Sequence, residues 1–258
     1  MDCSPIGHMH RFFISPANWN SGALTLAGAE AHHARDVLRM RVGEKLVLFD
    51  GRGHEITAEI VDLAVDEIGL KKLHEAETPP LQCRIVLGQA IPKGKNMDLI
   101  VQKAVEIGAA EIAPIISDRT IVQVDSESAA QKQSKWQQIA IEAAKQCGQN
   151  WLPHVHAPRK LSELFSVAAE QSFDLQLIGS LQPGARHLKK VLADYSNEDR
   201  RRPRSVLMLV GPEGDFTPAE LELARRHGCQ PITLGPIILR VETAAIYCLS
   251  ILSYELLI

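Results

Sequence analysis

The last third of the chain has a strand, helix, strand pattern of apolar and polar residues. Val206–Val210 is a continuous apolar run that ends in a glycine-containing loop. Thr217–Glu220 then has the form of a helix capping box with proline at the first helical position, and Gly228 can end that helix. A second strand pattern covers 231–234, and a terminal helix is predicted from about residue 243 to 257. Strand, helix and strand within about 30 residues predict a βαβ unit, and therefore a parallel sheet.

The middle of the chain also alternates apolar strands with amphipathic helices. Ile85–Leu87 and Ile112–Ile116 have strand character, and between them the apolar residues from Met97 to Val105 recur on one helical face. Gly108 can close that helix, and the same spacing recurs from Trp136 to Cys147. These patterns extend the predicted α/β domain back to residue 82.

The first part of the chain has short strands and turns instead. Leu46–Phe49, a glycine-containing turn, and the alternation of apolar with polar residues from Ile56 to Ile60 predict a β-hairpin. One helix is predicted from Ala29 to Met40. The periodicity stops at Glu75–Pro80, which places a domain boundary there. We therefore predict a small β-barrel module at residues 9–75 and an α/β domain at residues 82–258; residues 1–8 are left out, because Met9 is interpreted as the natural start.

The composition argues against some classes of protein but does not identify a function. The chain has 258 residues, 45% of them hydrophobic, which is ample for a buried core. Its apolar runs are far shorter than the roughly 18 residues of a membrane span, and its five scattered cysteines contain no CxxC pair, so we expect a soluble, cytoplasmic protein. The net charge of −3 weighs against a nucleic-acid binder, which is expected to be basic.

Two loops stand where an open parallel sheet binds ligands, beyond the carboxyl ends of its strands. They are Gly211–Gly214 and Gly235-Pro236, and Leu239–Thr243 follows directly after the second. Either loop alone is more simply an ordinary connection from a strand to a helix. Both within one βαβ unit favour a binding cleft.

Other ligand sites fit the sequence poorly. Residues 88–96 have one residue too many for a Walker A loop, and no GxGxxG follows a strand, which disfavours a nucleotide-dependent oxidoreductase. His154 and His156 have no acidic or thiol partner at metal-ligand spacing, so no metal site is predicted.

Several separated motifs resemble one family of RNA-modifying enzymes. Residues 210–217 (VGPEGDFT) with Glu220, and residues 234–244 (LGPIILRVETA), are similar to the paired signature of the RsmE family. These are the ribosomal small-subunit RNA uridine N3 methyltransferases of the SPOUT superfamily. Further similarity lies in the amino-terminal module, as at Arg11–Phe13, and in the central block around Lys93 and Arg119, so the resemblance covers nearly the whole chain.

The resemblance implies a fold, a cofactor and partners. The fold is a PUA-like β-barrel followed by a SPOUT α/β domain whose carboxyl-terminal part forms a deep trefoil knot. The cofactor is S-adenosylmethionine, the substrate is 16S ribosomal RNA within the small ribosomal subunit, and the enzyme is a homodimer through its knot domain. The implied cofactor-binding residues are Gly179, Val210, Gly211, Pro212, Glu213, Gly214, Leu234, Gly235, Pro236, Leu239 and Thr243.

The chemistry of the implied reaction suggests roles for charged residues. Uracil N3 must lose its proton before it can accept a methyl group, and the negative charge then spreads onto the flanking carbonyl oxygens. Arg240 is a candidate to stabilise that charge or to position a phosphate, and Glu242 is a candidate base or a residue that orients the cofactor. The two could equally form a structural ion pair. Candidate RNA-binding residues are Arg11, Arg39, Lys93 and Arg119, with solvated surface side chains as the alternative.

Four positions depart from the pattern that is usual in the family. Ile237 and Gln149 stand where arginine is usual, Val241 stands where threonine is usual, and Asp215 stands where glycine is common. The loss of two guanidinium groups allows an alternative function, a catalytically weak SPOUT-fold RNA-binding or ribosome-assembly factor. It leaves the prediction of cofactor binding unchanged.

Overall fold

The computed structural model describes residues 9–22, 24–120 and 125–257 and divides into two compact units. The first comprises the described residues up to Pro80 together with Ala144–Leu152, and the second comprises the remainder. The domains predicted from the sequence, 9–75 and 82–258, are each continuous and assign the 144–152 segment to the second domain. The interpretation of Met9 as the start concerns residues 1–8, which lie outside the described ranges.

The first unit is built on a curled five-stranded sheet. Its strands are β1 (Arg11–Phe13), β2 (Thr25–Ala27), β3 (Lys45–Phe49), β4 (His54–Leu63) and β5 (Glu67–Glu77). They lie in the order β1-β3-β4-β5-β2, and β3 and β4 form the predicted antiparallel hairpin. The Asp50 carboxylate closes that hairpin, because its Oδ1 accepts the backbone N–H groups of Arg52 and His54 at 2.7 and 3.1 Å. Apolar side chains from the strands, including Phe12, Leu48 and Ile56, form the core of this unit.

The helix predicted from Ala29 to Met40 is shorter and less regular than the pattern indicated. It consists of α1 (Gly28–His32), which continues as a π-helical turn over His33–Val37. Arg39 then adopts a left-handed conformation with φ of 55°, and the backbone N–H of Met40 donates to the carbonyl of Ala34 at 3.0 Å. This Schellman-type ending turns the chain inward so that Met40 is buried.

The second unit is a parallel sheet flanked by helices. Its strands are β6 (Arg84–Ala90), β7 (Glu111–Ile116), β8 (His154–Val155), β9 (Arg159–Lys160), β10 (Leu175–Gly179), β11 (Arg186–His187), β12 (Ser205–Val210) and β13 (Gln230–Thr233). The remaining helices of the chain are α2 (Asn96–Ile107), α3 (Ser126–Cys147), α4 (Leu161–Gln171), α5 (Leu188–Asp199), α6 (Pro218–Arg226) and α7 (Val241–Leu256). The sequence signals of α2 and α6 are confirmed, with Gly108 and Gly228 in left-handed conformations after the two helices and the Thr217 capping box at the start of α6.

The strand order of this sheet is β11-β13-β10-β12-β6-β7-β8, with β9 also on β7. The βαβ unit predicted at 206–234 is parallel, but β10 lies between its two strands, because a sequence pattern carries no information on lateral order. After β13 the chain continues into α7, which packs against α2, β6 and β12. The predicted α/β class, with a parallel sheet flanked by helices, is confirmed.

A charged cluster lies at the amino end of β6 and β7. The carboxylate of Glu111 forms two hydrogen bonds. Its Oε2 lies 2.7 Å from His156 Nε2, and its Oε1 accepts from Arg84 Nε at 2.7 Å. These two partners hold the pKa of Glu111 at about 2, below its ordinary value of 4.5, against the opposing effect of burial. The neighbouring imidazole of His154 packs edge-on against His156, with ring centroids 4.5 Å apart.

Replacing Glu111 by glutamine is expected to lower the free energy of unfolding by roughly 2 to 3 kcal/mol at pH 7. A carboxylate with a depressed pKa stabilises the fold fully above its unfolded pKa, near 4.5, and this contribution is lost as the pH falls toward 2. Urea unfolding of the parent and Glu111→Gln proteins at several pH values measures the difference. If the difference in the free energy of unfolding between the two proteins stayed constant from pH 6 to pH 3, the ionised Glu111 carboxylate would not be the source of the stability.

The described residues contain neither a membrane-spanning helix nor a cluster of metal-binding side chains. No helix there is both long and apolar enough to cross a membrane. No group of three or more histidine, cysteine, aspartate or glutamate side chains is arranged there to hold a metal ion.

Candidate active site

A cavity of about 410 Å³ lies at the carboxyl ends of β10, β12 and β13. Its wall consists of three loops, one after each strand, together with Asn96 at the start of α2 and Ala244 in α7. The loops contribute Gly179–Leu181, residues 210–213 with Asp215, and residues 233–235 with 237–242. Backbone N–H groups at this edge have no further strand to pair with, which is why parallel sheets bind ligands there.

Most of the residues predicted to bind the cofactor meet in this cavity. Those that line it are Gly179, Val210, Gly211, Pro212, Glu213, Leu234, Gly235 and Leu239, whereas Gly214, Pro236 and Thr243 do not. The Gly214 carbonyl instead accepts a hydrogen bond from the Arg119 guanidinium. Both candidate catalytic residues, Arg240 and Glu242, also line the cavity.

Several lining residues were missed in the sequence. Leu181 and Thr233 lie at or directly after the ends of β10 and β13, so the strand-end rule that found the glycine loops would also have found them. Ile238 and Ala244 lie next to residues that were predicted. Asn96 is different, because it is more than 80 residues from the nearest of the three loops and no local pattern marks it.

Arg240 and Glu242 lie at the start of α7, Arg240 as its N-cap and Glu242 in its first turn. They do not form the structural ion pair that the sequence left open, and Arg240 pairs with no carboxylate within the described ranges. Glu242 Oε2 instead accepts a hydrogen bond from the Asn96 amide, with a distance of 3.2 Å to Nδ2. The side chain of Glu242 therefore lies beside the partial positive charge of the amino terminus of α7.

The buried side chain of Glu220 fixes the loop after β12 through hydrogen bonds to backbone N–H groups. This side chain is only 6% exposed, and its carboxylate accepts the backbone N–H of Thr217 at 2.8 Å and that of Asp118 at 3.0 Å. The capping box that starts α6 therefore also joins the loop after β7 to the loop after β12. Two partly buried backbone N–H groups are satisfied at the same time, which favours a rigid site.

The predicted RNA-binding residues of the second unit lie beside the cavity loop. Lys93 is exposed and its backbone N–H donates to Glu213 Oε1 at 2.9 Å, while Arg119 is exposed and contacts Gly214. Both side chains are accessible to a large ligand.

In the first unit, Arg11 is engaged internally. Its guanidinium pairs with Glu55 at 2.7 Å, contacts Asn150 and lies over the ring of Phe49, so a phosphate contact would have to displace Glu55. Arg39 is exposed and remains accessible.

Comparisons with known proteins identify the family. The model of an RNA methyltransferase domain matches residues 79–253, and that of an RNA methyltransferase PUA domain matches residues 26–68. A ribosomal RNA small subunit methyltransferase E from Synechocystis is 31% identical over 238 residues, which cover 91% of this chain and 74% of that protein. The chain belongs to the ribosomal RNA small subunit methyltransferase E family. The protein of that name from Bacillus subtilis is 29% identical over 96% of this chain and 97% of its own.

A solved structure of the same family supports the fold. The ribosomal RNA small subunit methyltransferase E from Neisseria gonorrhoeae, bound to S-adenosylmethionine, has a TM-score of 0.82 and 32% identity. The match covers 96% of this chain and 98% of that one.

The departures from the usual pattern of the methyltransferase E family fall at different places in the structure. Ile237 is 74% exposed on the cavity loop, whereas Val241 is buried at the start of α7. Gln149 lies in the 144–152 segment of the first unit. Asp215 has a φ of 63°, a conformation that glycine adopts without strain and that aspartate tolerates better than most other residues.

Proposed function

We propose that the chain transfers a methyl group from S-adenosylmethionine to N3 of a uridine in 16S ribosomal RNA. The observation that carries the proposal is the cavity, in which three strand-end loops meet an arginine and a glutamate at the start of α7. Membership of the methyltransferase E family supports both the cofactor and the ribosomal RNA substrate.

The cavity fits S-adenosylmethionine in size and chemistry. Its volume of about 410 Å³ is within the range of small-molecule sites. Gly179, Gly211 and Gly235 leave the backbone of the three loops open to close approach, and the apolar Leu234 and Leu239 can contact an aromatic base. When bound, the cofactor supplies an electrophilic methyl group on its sulfonium sulfur.

The protein's own residues must prepare uracil N3 for methylation. In this proposal the Glu242 carboxylate accepts the N3 proton, and the Arg240 guanidinium stabilises the negative charge on the flanking carbonyl oxygens. Asn96 holds one oxygen of Glu242, which leaves the other free to receive the proton. Arg240 can move toward the substrate without breaking an ion pair of the described structure.

Incubation with labelled S-adenosylmethionine and small ribosomal subunits from a strain lacking this activity tests the proposal. The labelled methyl group is expected on N3 of a uridine in 16S RNA. A methyl group there blocks base pairing, so its position is read as a stop in reverse transcription. Cofactor binding without transfer would instead support the RNA-binding or ribosome-assembly alternative, which the replacement of a usual arginine by Ile237 keeps open. Absence of cofactor binding would refute the methyltransferase proposal.

We further propose that the enzyme is a cytoplasmic homodimer that acts on the assembled small subunit. Tyr247 and Tyr254 lie one above the other on α7 and are 44% and 72% exposed, and Leu99 on the neighbouring α2 is 40% exposed. A second copy of the second unit would bury this apolar surface. Between residues 11 and 75 the chain has eight Lys and Arg against ten Asp and Glu, so bulk charge favours shape recognition of a folded particle over binding of free RNA.

Replacing Asn96 by alanine is expected to lower kcat about threefold to tenfold, because Glu242 loses the donor that orients it. The KM for S-adenosylmethionine should change little, since the three loops are untouched. Asn96→Asp is the informative comparison, because it replaces the donor by a second carboxylate and should reduce the rate further. Equal kcat values for all three proteins would exclude this role for Asn96.

A further inference from the structure

We infer that Asp215 is a positioning residue that holds two of the three cavity loops in their cofactor-binding arrangement. This inference rests on the proposed function, because it concerns the same cavity. It assigns a structural purpose to an aspartate that lines the cavity and has a left-handed backbone conformation.

The carboxylate of Asp215 joins the loop after β10 to the loop after β12. Its Oδ2 accepts the backbone N–H of Leu181 at 3.1 Å, and its Oδ1 accepts the N–H of Phe216 at 2.8 Å. The N–H of Asp215 itself donates to the carbonyl of Pro212 at 2.9 Å, which closes the turn of its own loop. Both carboxylate oxygens are therefore used to fix backbone.

The loop after β10 depends on this contact. Up to Ser180 it is held by the sheet, where the N–H of Ser180 donates to the carbonyl of Ile232 at 3.0 Å. Beyond that residue, Leu181 is 63% exposed. The N–H of Gln182 donates to Ser180 Oγ at 3.1 Å and its carbonyl accepts from the N–H of Ala185 at 3.4 Å, so both bonds stay within the same loop. Within the described ranges, no other hydrogen bond joins residues 181–184 to another loop.

The backbone conformation of Asp215 argues against a passive replacement of glycine. A φ of 63° is unfavourable for a residue with a side chain, although aspartate tolerates it better than most. The carboxylate offsets this strain through two hydrogen bonds in which the acceptor is charged. It also packs close to Gly211, where an added Cβ would lie 3.2 Å from Oδ1.

The consequence is a cavity that is shaped before its ligand arrives. Gly179, Leu181, Gly211 and Asp215 all line it, so the hydrogen bond from Leu181 fixes the distance between two of its walls. A ligand that contacts both walls does not have to order the loop on binding. Its affinity is therefore greater, because the entropy cost of ordering that loop is absent from the free energy of binding. The effect is on binding and not on the chemical step, because Arg240 and Glu242 belong to the third loop and to α7.

Asp215→Gly and Asp215→Asn test this role, with Glu222→Gln on the exposed face of α6 as the control carboxylate. We expect the Kd of S-adenosylmethionine, measured by calorimetry, to rise about tenfold in Asp215→Gly, as for the loss of one charge-assisted hydrogen bond. Asp215→Asn should be intermediate, since its amide oxygen can accept only one of the two N–H groups. The KM for the cofactor should rise in parallel, while kcat at saturating cofactor stays within about twofold of the parent.

Three outcomes would overturn the inference. Cofactor affinity of Asp215→Gly within twofold of the parent would show that the aspartate merely replaces glycine. Equal losses in kcat and affinity, in Asp215→Asn as well as in Asp215→Gly, would show a general structural defect instead of loop positioning. Failure of the parent protein to bind S-adenosylmethionine would refute the proposed function and this inference together, whereas the first two outcomes leave the proposed function intact.

Discussion

Replacing Arg240 by alanine is expected to slow methyl transfer by about 10² to 10³-fold, the usual effect of removing a donor that stabilises developing negative charge. Arg240 lines the cavity and forms no ion pair within the described structure, so its loss should leave the fold unchanged. The Kd of S-adenosylmethionine should stay within about threefold of the parent, because the three loops present backbone groups to the cofactor. Single-turnover methylation of small subunits measures the chemical step directly.

Two further variants separate the role of Arg240 from general charge effects. Arg240→Lys keeps the charge but loses the planar guanidinium, so partial activity is expected. Arg225→Ala removes an exposed arginine from α6 and should methylate at the parental rate. If Arg240→Ala retained activity within about threefold of the parent and melted normally, Arg240 would have no part in the mechanism.

Gly53→Ala is expected to destabilise the first unit by about 3 kcal/mol or more. Gly53 has a φ of 99°, and a Cβ there would lie 2.6 Å from the carbonyl oxygen of Thr78 and 3.0 Å from the Trp151 ring. The backbone of Gly53 also donates to the carbonyl of Asn150 at 3.0 Å and accepts from the N–H of Thr78 at 2.8 Å. Neither neighbour can withdraw without breaking these bonds.

Gly43→Ala is the matched control for Gly53→Ala. Gly43 has a similar φ of 91°, but nothing lies within 4 Å of the position where its Cβ would be. Its replacement should therefore cost only the conformational strain, about 1 kcal/mol. Urea unfolding is followed by tryptophan fluorescence in a Trp136→Phe background, because Trp136 lies in the second unit whereas Trp19 and Trp151 lie in the first. Equal losses in the two variants would show that the close packing around Gly53 contributes nothing.

The features that the sequence predicted well are those set by neighbouring residues. The β3–β4 hairpin, the capping box of Thr217 and Glu220, and the glycine ends of α2 and α6 each depend on a few consecutive positions. The helix at 28–37 was predicted too long because its ending is decided by the burial of Met40, a tertiary contact. The helical periodicity continues past the point where the chain turns inward.

The features that the sequence did not reveal depend on contacts between distant segments. The position of β10 between β12 and β13, the hydrogen bond from Asn96 to Glu242, and the internal ion pair of Arg11 with Glu55 are all of this kind. The candidate site was found largely because its loops follow apolar strands and carry glycine. From the sequence, Asp215 stood out only as a departure from the family pattern. Its hydrogen bond with Leu181 could not be predicted, because the two residues are 34 positions apart and are brought together by the fold.

The 144–152 segment changes how the two units can be made and exchanged. The polypeptide passes from one unit to the other at 80, at 143 and at 152, so neither unit is encoded by one continuous stretch of gene. A chimera of two relatives that is joined at one position near residue 80 would take Thr78 from one protein and Asn150 and Trp151 from the other. The hydrogen bonds that Asn150 and Trp151 donate to Thr78 would then join residues of different origin. During translation the first unit cannot be completed until Leu152 has left the ribosome, by which time β6, α2 and β7 have already been synthesised.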